Sequence, residues 1–404
     1  MTIDTRFHSL DAVRAWALLA GIVLHATMAY LPGFREVGWP ISDDSTSAGL
    51  GVLFFVIHIF RMSLFFIIAG FFARVLHQRL GTGGLVKNRL RRVGLPLLAF
   101  YLLVMPFTIV AFIWGARQLG IQGPPRMAPP FPVVGPPVPW GHLWFLYLLL
   151  VIYALVIPAR ALVVRFDGSG TLRNTVGRVL TSSVRTRVAP LLLAAPLAAV
   201  LFVTPWWHQW MGFPAPILGF VPNVPSLLAF GGAFLVGWFI HREQDCLRAL
   251  ATDWTLYLAA ALLATVAALY IVGITPRFGP IALTDVERIA YAGAYTVASW
   301  CWSFAGIGMA VRFLDAPNAR WRYLAEASYW MYLIHLPVVS LLQAWMLRWP
   351  LHWAIKISLV LAITGALLLL TYHYCVRASF LGKFLNGRKL PRSFDAPLTG
   401  ARTV

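Results

Sequence analysis

Long apolar runs separated by short polar or basic connections repeat along nearly the whole chain. A helix that crosses a membrane needs about 20 mostly apolar residues. On that measure the pattern predicts ten spans, at roughly 12–31, 50–73, 93–116, 142–164, 188–204, 226–241, 254–273, 287–311, 326–347 and 351–376. The expected fold is therefore an all-α integral membrane protein. The fifth and sixth spans are short, with Pro190 and Pro196 in one and Pro225 at the mouth of the other. Such breaks need partners from neighbouring helices when they lie in lipid. The spans form one transmembrane domain, 1–376, followed by a basic tail, 377–404, expected to be poorly ordered. The pattern holds no internal repeat and no separate soluble domain.

Composition agrees: 59% of the 404 residues are hydrophobic, 12% are charged, and mean hydropathy is +0.74. A soluble domain of this length does not tolerate that balance. The formal charge of +19 does not point to nucleic acid, because the basic residues sit between the apolar runs, where they set topology. Membrane lipid is the expected surrounding partner. The cysteines Cys246, Cys301 and Cys375 show no disulfide or metal spacing, and no metal site is expected. The first run continues for about twenty residues and contains Asp11, Arg14 and His25, so it is expected to span rather than be cleaved.

Orientation follows from the Lys and Arg count in alternate connections. With the N-terminus inside, 24 of the 33 basic residues are cytoplasmic, from Arg6 through to Arg402, and five lie outside: Arg35, Arg117, Arg126, Arg277 and Arg348. Both termini are thus predicted cytoplasmic. The remaining basic residues, Arg14, Arg61, Arg288 and Lys356, fall within or at the edge of spans. A charge there costs about 2.5–3.5 kcal/mol even on insertion scales and usually faces the bundle interior or a wet cavity. Lys356, near a helix end, is expected to snorkel.

In the first span, Arg14 and His25 are eleven residues apart, which returns them to one helix face about 16 Å apart, and Asp11 joins that face. This polar stripe suits a reaction that joins two compartments. A simpler alternative for Asp11 and Arg14 is a pair at a helix end. His58 and Arg61 share a face of the second span, with His58 at about the depth of His25. His25 is the candidate general base, since an imidazole takes a proton near neutral pH. Arg61 is placed either to stabilise an oxyanion, to hold an acyl carboxylate, or to pair with a neighbouring helix.

The run Lys87-Asn88-Arg89-Leu90-Arg91-Arg92 at the cytoplasmic face suits the phosphates of a nucleotide-bearing donor, although cytoplasmic loops are commonly basic. In the ninth span Ser328, Tyr332 and His335 lie within one narrow arc, while Glu326 is on the opposite side, where it serves another contact or caps the helix start. His142 and Trp144 sit at the outer mouth of the fourth span, placed to line an acceptor site. Two outer loops stand out. Residues 117–141 carry prolines from Pro124 to Pro139 and should be stiff, and 205–225 carry Trp206, Trp207 and Trp210, which either anchor at the interface, the commoner use, or stack on sugar rings.

Taken in order, Leu10-Asp11-x-x-Arg14 with His25, Phe60-Arg61-Met62 and the apolar stretch to Phe72, the Arg89/Arg92 pair, His142-Leu143-Trp144-Phe145-Leu146 and Ser328 through Pro337 resemble the acyltransferase family 3 pattern. Within it they are most similar to the branch that succinylates osmoregulated periplasmic glucans. The resemblance implies about ten spans in a bacterial inner membrane, no permanently bound cofactor, an acyl-coenzyme A donor (succinyl-coenzyme A for that branch) reaching the protein from the cytoplasm, and acyl delivery to an extracytoplasmic carbohydrate. It also implies that His25 is the essential base, that Arg14 is the other essential member of its motif, and that Arg89 and Arg92 contact the donor. Many relatives carry a fused extracytoplasmic esterase-like domain; without it, the acceptor falls to the membrane core and its loops.

The resulting expectation is O-acyl transfer, with Arg89, Arg92 and nearby Arg91 on donor phosphates, Arg14 beside the pantetheine arm, and His25, with Asp11 and His58 nearby, activating a hydroxyl. If the acyl group is succinyl, Arg61 or Arg288 pairs with its free carboxylate; His142, Trp144, Tyr332, His335 and Glu326 are candidates for the acyl or acceptor side. The competing class is a transporter or flippase for a sugar, lipid or anion, in which the same charges line a permeation path. A sensor or scaffold gives no reason for the stripe in the first span. Whether the chain forms a homo-oligomer is left open by the pattern.

Overall fold

The computed structural model describes residues 7–36, 39–121, 133 and 136–391. The prolines from Pro124 to Pro132, the basic residues Arg6, Arg126, Arg392 and Arg402, and the rest of the tail beyond 391 lie outside the described residues. Among the described residues the structure is helical, without strands. Its α-helices are α1 (His8–Thr27), α2 (Ala48–Arg89), α3 (Leu95–Gln118), α4 (Trp144–Phe166), α5 (Thr171–Arg185), α6 (Ala189–Phe202), the single turn α7 (Val224–Ser226), α8 (Gly232–Arg242), α9 (Asp245–Val272), α10 (Asp285–Phe313), α11 (Ala319–Met346), α12 (Trp353–Thr371) and the short α13 (Phe380–Asn386).

Six stretches are long and apolar enough to cross a membrane: His8–Tyr30, Ala48–Gln118, Gly141–Phe166, Val224–Arg242, Asp245–Val272 and Trp353–Val376. The pair α5 and α6, bent by 110°, makes a seventh if taken as one broken span. The expected second and third spans are divided at Gly81 (φ 67°), where two helices meet within α2; the helix after that break runs on through the π-helical turn Leu90–Gly94 into α3. At about 1.5 Å per residue the part of α2 before that break, 48–80, is about 50 Å long, more than the hydrocarbon thickness of a bilayer. α10 and α11 have the length of a span but are diluted by Tyr, Trp, Ser and, in α11, Glu326, His335 and Gln343. α5 was not among the expected elements. It is amphipathic, with Leu180 and Val184 turned inward.

α1 is the axis of the bundle: it packs against α2, α10, α11 and α12, and most of its length is buried. Thr284 and Glu287 close a reciprocal capping box at the start of α10. Ser47 caps α2, and Asn318 caps α11.

Lys356 does not snorkel. Its Nζ lies 2.6 Å from the Asp43 carboxylate, with both side chains almost wholly buried. The first outer loop folds inward to supply that partner, the Asp43 amide donating to the Ala29 carbonyl at 2.8 Å; no local pattern announces such a long-range pair. The interface-anchor expectation also fails for Trp207 and Trp210, which are 2% and 0% exposed. Trp207 donates through Nε1 to the Gly212 carbonyl at 2.8 Å and packs on Tyr291, so its polar edge is satisfied by its own loop rather than by headgroups.

The first part of the tail is ordered against the bundle. Buried Arg377 pairs with Glu326 at 3.3 Å and donates to the Pro391 carbonyl, and the Leu390 amide donates to the Arg377 carbonyl.

Candidate active site

α1, α2, α4 and α11 surround a cavity of about 990 Å³. At one end it is lined by Arg14, Asn88, Arg89, Arg92, Glu326 and Arg388. Its middle is lined by His25, His58, Arg61, His142, Tyr332 and His335, and its other end by Trp39, Trp206, Trp207, His208 and Ala215.

The basic end is built by helix continuity. Arg89 closes α2, the π turn follows, and Arg92 lies within it; wide turns of this kind recur at functional sites. Arg89 lies over the Tyr153 ring, 5.6 Å from its centroid. Tyr329 donates to the Arg92 carbonyl at 2.7 Å and so fixes that turn to α11. Arg14 pairs with Asp11 at 3.4 Å and donates to the Ala325 carbonyl at 2.7 Å. The helix-end pair and the cavity placement of Arg14 are therefore both real.

In the middle, the ring of His25 is 5.1 Å from that of His335, which is 5.1 Å from that of His142. Main-chain carbonyls set the tautomers around it. His335 donates through Nδ1 to the Tyr332 carbonyl at 2.7 Å, His142 through Nε2 to the Leu333 carbonyl at 3.1 Å, and His58 through Nδ1 to the Phe54 carbonyl at 3.2 Å. A carbonyl only accepts, so each of these rings, when neutral, keeps a lone pair on its other nitrogen. Among the described residues, no protein group bonds the buried nitrogens His25 Nδ1, His142 Nδ1, His335 Nε2 and Arg61 Nε. Buried polar atoms are almost always satisfied, so a cluster of orphaned ones around a cavity marks a place for a polar ligand or solvent. α1's last turn is held by Gln343, which donates to the carbonyls of His25 and Ala26 at 3.2 and 2.9 Å.

Arg61 reaches across from α2 to α1, and a Cβ at Gly21 would fall on its guanidinium and push it aside. Among the described residues no carboxylate forms an ion pair with Arg61. Its cationic head therefore faces the chamber.

The structure thus gathers Arg14, His25, His58, Arg61, Arg89, Arg92, His142, Trp144, Tyr332, His335 and Glu326 around one cavity. It does not gather all the candidates. Arg288 is off the cavity, stacked over Phe202 at 5.4 Å, because the chain at the start of α10 turns that residue toward α6. Arg91 is exposed and off the cavity, and Asp11 does not line it but pairs with Arg14, which does. Glu326 meets Arg377 and, at 3.9 Å, Arg322. Sequence reasoning missed His208 and Arg388. His208 was overshadowed by the tryptophans beside it, and burial holds its imidazole below its usual range. Among the described residues no group of three or more His, Cys, Asp or Glu is arranged to hold a metal ion.

Long apolar helices around a polar chamber that reaches both ends of the bundle define a multi-pass membrane protein with an internal reaction or transport site. The acyltransferase domain of the acyltransferase 3 family matches residues 7–371, and the chain belongs to that family. Among curated proteins it is 25% identical over 349 residues to glucans biosynthesis protein C of Salmonella paratyphi B, covering 84% of both chains. It is 32% identical over 159 residues to the protein of that name from Escherichia coli O6:K15:H31, and 31% identical over 159 residues to that of Escherichia coli K12. Those two alignments span 38% of the Escherichia coli chains. No solved structure matches this chain.

Proposed function

We propose that this protein is a transmembrane O-acyltransferase that takes an acyl group from cytoplasmic acyl-coenzyme A and places it on a hydroxyl of an extracytoplasmic carbohydrate, a periplasmic glucan by analogy with the named relatives. The observation that carries this reading is the single cavity that passes His25 between the Arg89 and Arg92 end and the Trp206 and His208 end. The guanidinium end suits phosphates, and the aromatic end suits sugar faces. In this reading the protein has about ten spans with both termini cytoplasmic, sits in the bacterial inner membrane, and needs no resident cofactor.

His25 takes the proton of the hydroxyl as its oxygen attacks the thioester carbonyl. The carbon–oxygen bond forms, the carbon–sulfur bond breaks, and the proton passes to the departing thiolate, leaving an ester and free coenzyme A. His58, His142 and His335 hold the surrounding polar wall. Arg61, half-buried and without an acidic partner among the described residues, suits the free carboxylate of a succinyl group; Arg288 is withdrawn from that role.

The test is transfer of radiolabelled succinyl and acetyl groups from coenzyme A to glucan by protein in liposomes. Wild type labels the glucan and His25→Ala loses at least about 100-fold, the usual scale for removing a general base. Arg61→Ala loses succinyl transfer more than acetyl transfer. Flux of substrate across the bilayer without thioester consumption overturns the proposal.

A further inference from the structure

The basic tail carries a feature that the transfer reading leaves unused. After α12 the chain runs through the π turn Tyr372–Val376, turns back, and forms α13. Fastened by the Arg377–Glu326 pair and by Asn386, which donates through Nδ2 to the Glu326 carbonyl at 3.2 Å, it lies across the cytoplasmic mouth. There Leu385, Asn386, Arg388 and Leu390 become part of the cavity wall.

Arg92 makes the closing contact. Its Nη1 donates to the carbonyls of Lys383 and Phe384 at 3.2 and 3.3 Å, the former also accepting the Gly387 amide at 3.0 Å, and its charge matches the negative end of the helix dipole. The next residue after α13 is Gly387, at φ 89°, and a Cβ there would collide with the Arg92 guanidinium. Position 387 therefore favours glycine for the left-handed turn, and a side chain there would also push the Arg92 guanidinium aside. The turn aims the following residue, Arg388, into the mouth that Arg89 also lines.

We propose that residues 377–391 form a strap that is part of the donor site: Arg92 positions it, and Arg388, carried by the strap, joins Arg89 in holding the phosphates of the thioester donor. The inference rests on the transfer reading for the identity of that donor. Within it the Arg89/Arg92 pair divides its work, Arg89 facing the ligand and Arg92 fixing the strap that brings a further cation. Lys389, one residue on, is exposed and off the cavity, so a general effect of tail charge is separable from a placed contact.

The experiment is calorimetric binding of coenzyme A to the detergent-solubilised full chain, followed by KM for the acyl donor. Arg388→Ala is expected to weaken binding and raise KM about 10-fold, Arg388→Lys to recover part of that, and Lys389→Ala to match wild type. Gly387→Ala, which keeps every charge but disturbs the turn, is expected to weaken binding as Arg388→Ala does. With a truncated acyl thioester that lacks phosphates, wild type and Arg388→Ala are expected to have the same KM. Coenzyme A binding unchanged in Arg388→Ala, or lost equally in Lys389→Ala, overturns the strap while leaving the transfer reading standing. Absence of coenzyme A binding by wild type overturns both.

Discussion

Lys356 shows how a charged side chain survives at a membrane helix end without reaching water. Its partner Asp43 is buried with it, and the amide of Ser45 also donates to that carboxylate at 2.9 Å. Removing one member of such a pair leaves an uncompensated buried charge, at a cost of about 3–5 kcal/mol, whereas replacing both with well-packed apolar groups is often neutral. Lys356→Met and Asp43→Leu alone are each expected to lower the thermal midpoint in detergent sharply. The double variant is expected to recover most of the loss; equal loss in all three would mean that packing, and not charge, decides there. The residues of α1 were readable beforehand because their relation is local: the helix repeat alone puts Arg14 and His25 on one face. The contact of His25 with His335 was not, since 310 positions separate them and only the packing of α1 on α11 sets it.

At the scale of elements, α5 is the clearest addition to the sequence reading. Its apolar positions are too few and too spread for a span, so a search for long apolar runs passes over it. The structure turns Leu180 and Val184 inward and leaves Leu172, Val176 and Val179 exposed beside Arg173 and Arg178. Asp167 starts the helix by accepting the amides of Leu172 and Arg173 at 3.0 and 3.1 Å. With α6 leaving at 110°, α5 is expected to lie along the cytoplasmic leaflet with its exposed apolar side in the acyl boundary and its arginines at the headgroups. A tryptophan at Val176 should be quenched by brominated lipids much more than one at Arg178; equal quenching would place the helix off the membrane. The same contrast of local and distant information applies where the second and third spans meet, at the Gly81 break. Each apolar run was legible, but the unbroken helix through Lys87 and Arg92 was not, because a basic cluster reads as a loop.

For the whole molecule, the arrangement makes a claim about sides. The positive-inside count predicts Arg388 and the Arg89 end of the cavity in the cytoplasm, and Ala215 with the Trp206 end outside. In a background lacking Cys246, Cys301 and Cys375, a cysteine at 215 is expected to react with a membrane-impermeant thiol reagent in spheroplasts. A cysteine at 388 is expected to react only after the membrane is opened. The reverse pattern would invert the topology and with it the direction of transfer.

A chamber that reaches both ends of a membrane protein also threatens the energy stored across that membrane. Arg61 stands about 20 Å along α2 from its outer end, a half-buried cation with no acidic neighbour paired to it among the described residues, in the path that hydronium or sodium would follow. A fixed positive charge in a pore is a known means of excluding protons and cations. The residue offered here to an acyl carboxylate would thus also serve as insulation, keeping a passage wide enough for a thioester arm from becoming a leak. Liposomes holding Arg61→Ala are expected to discharge an imposed pH gradient faster than those holding wild type, read with an entrapped pH dye. Equal rates would assign the seal to side-chain packing alone.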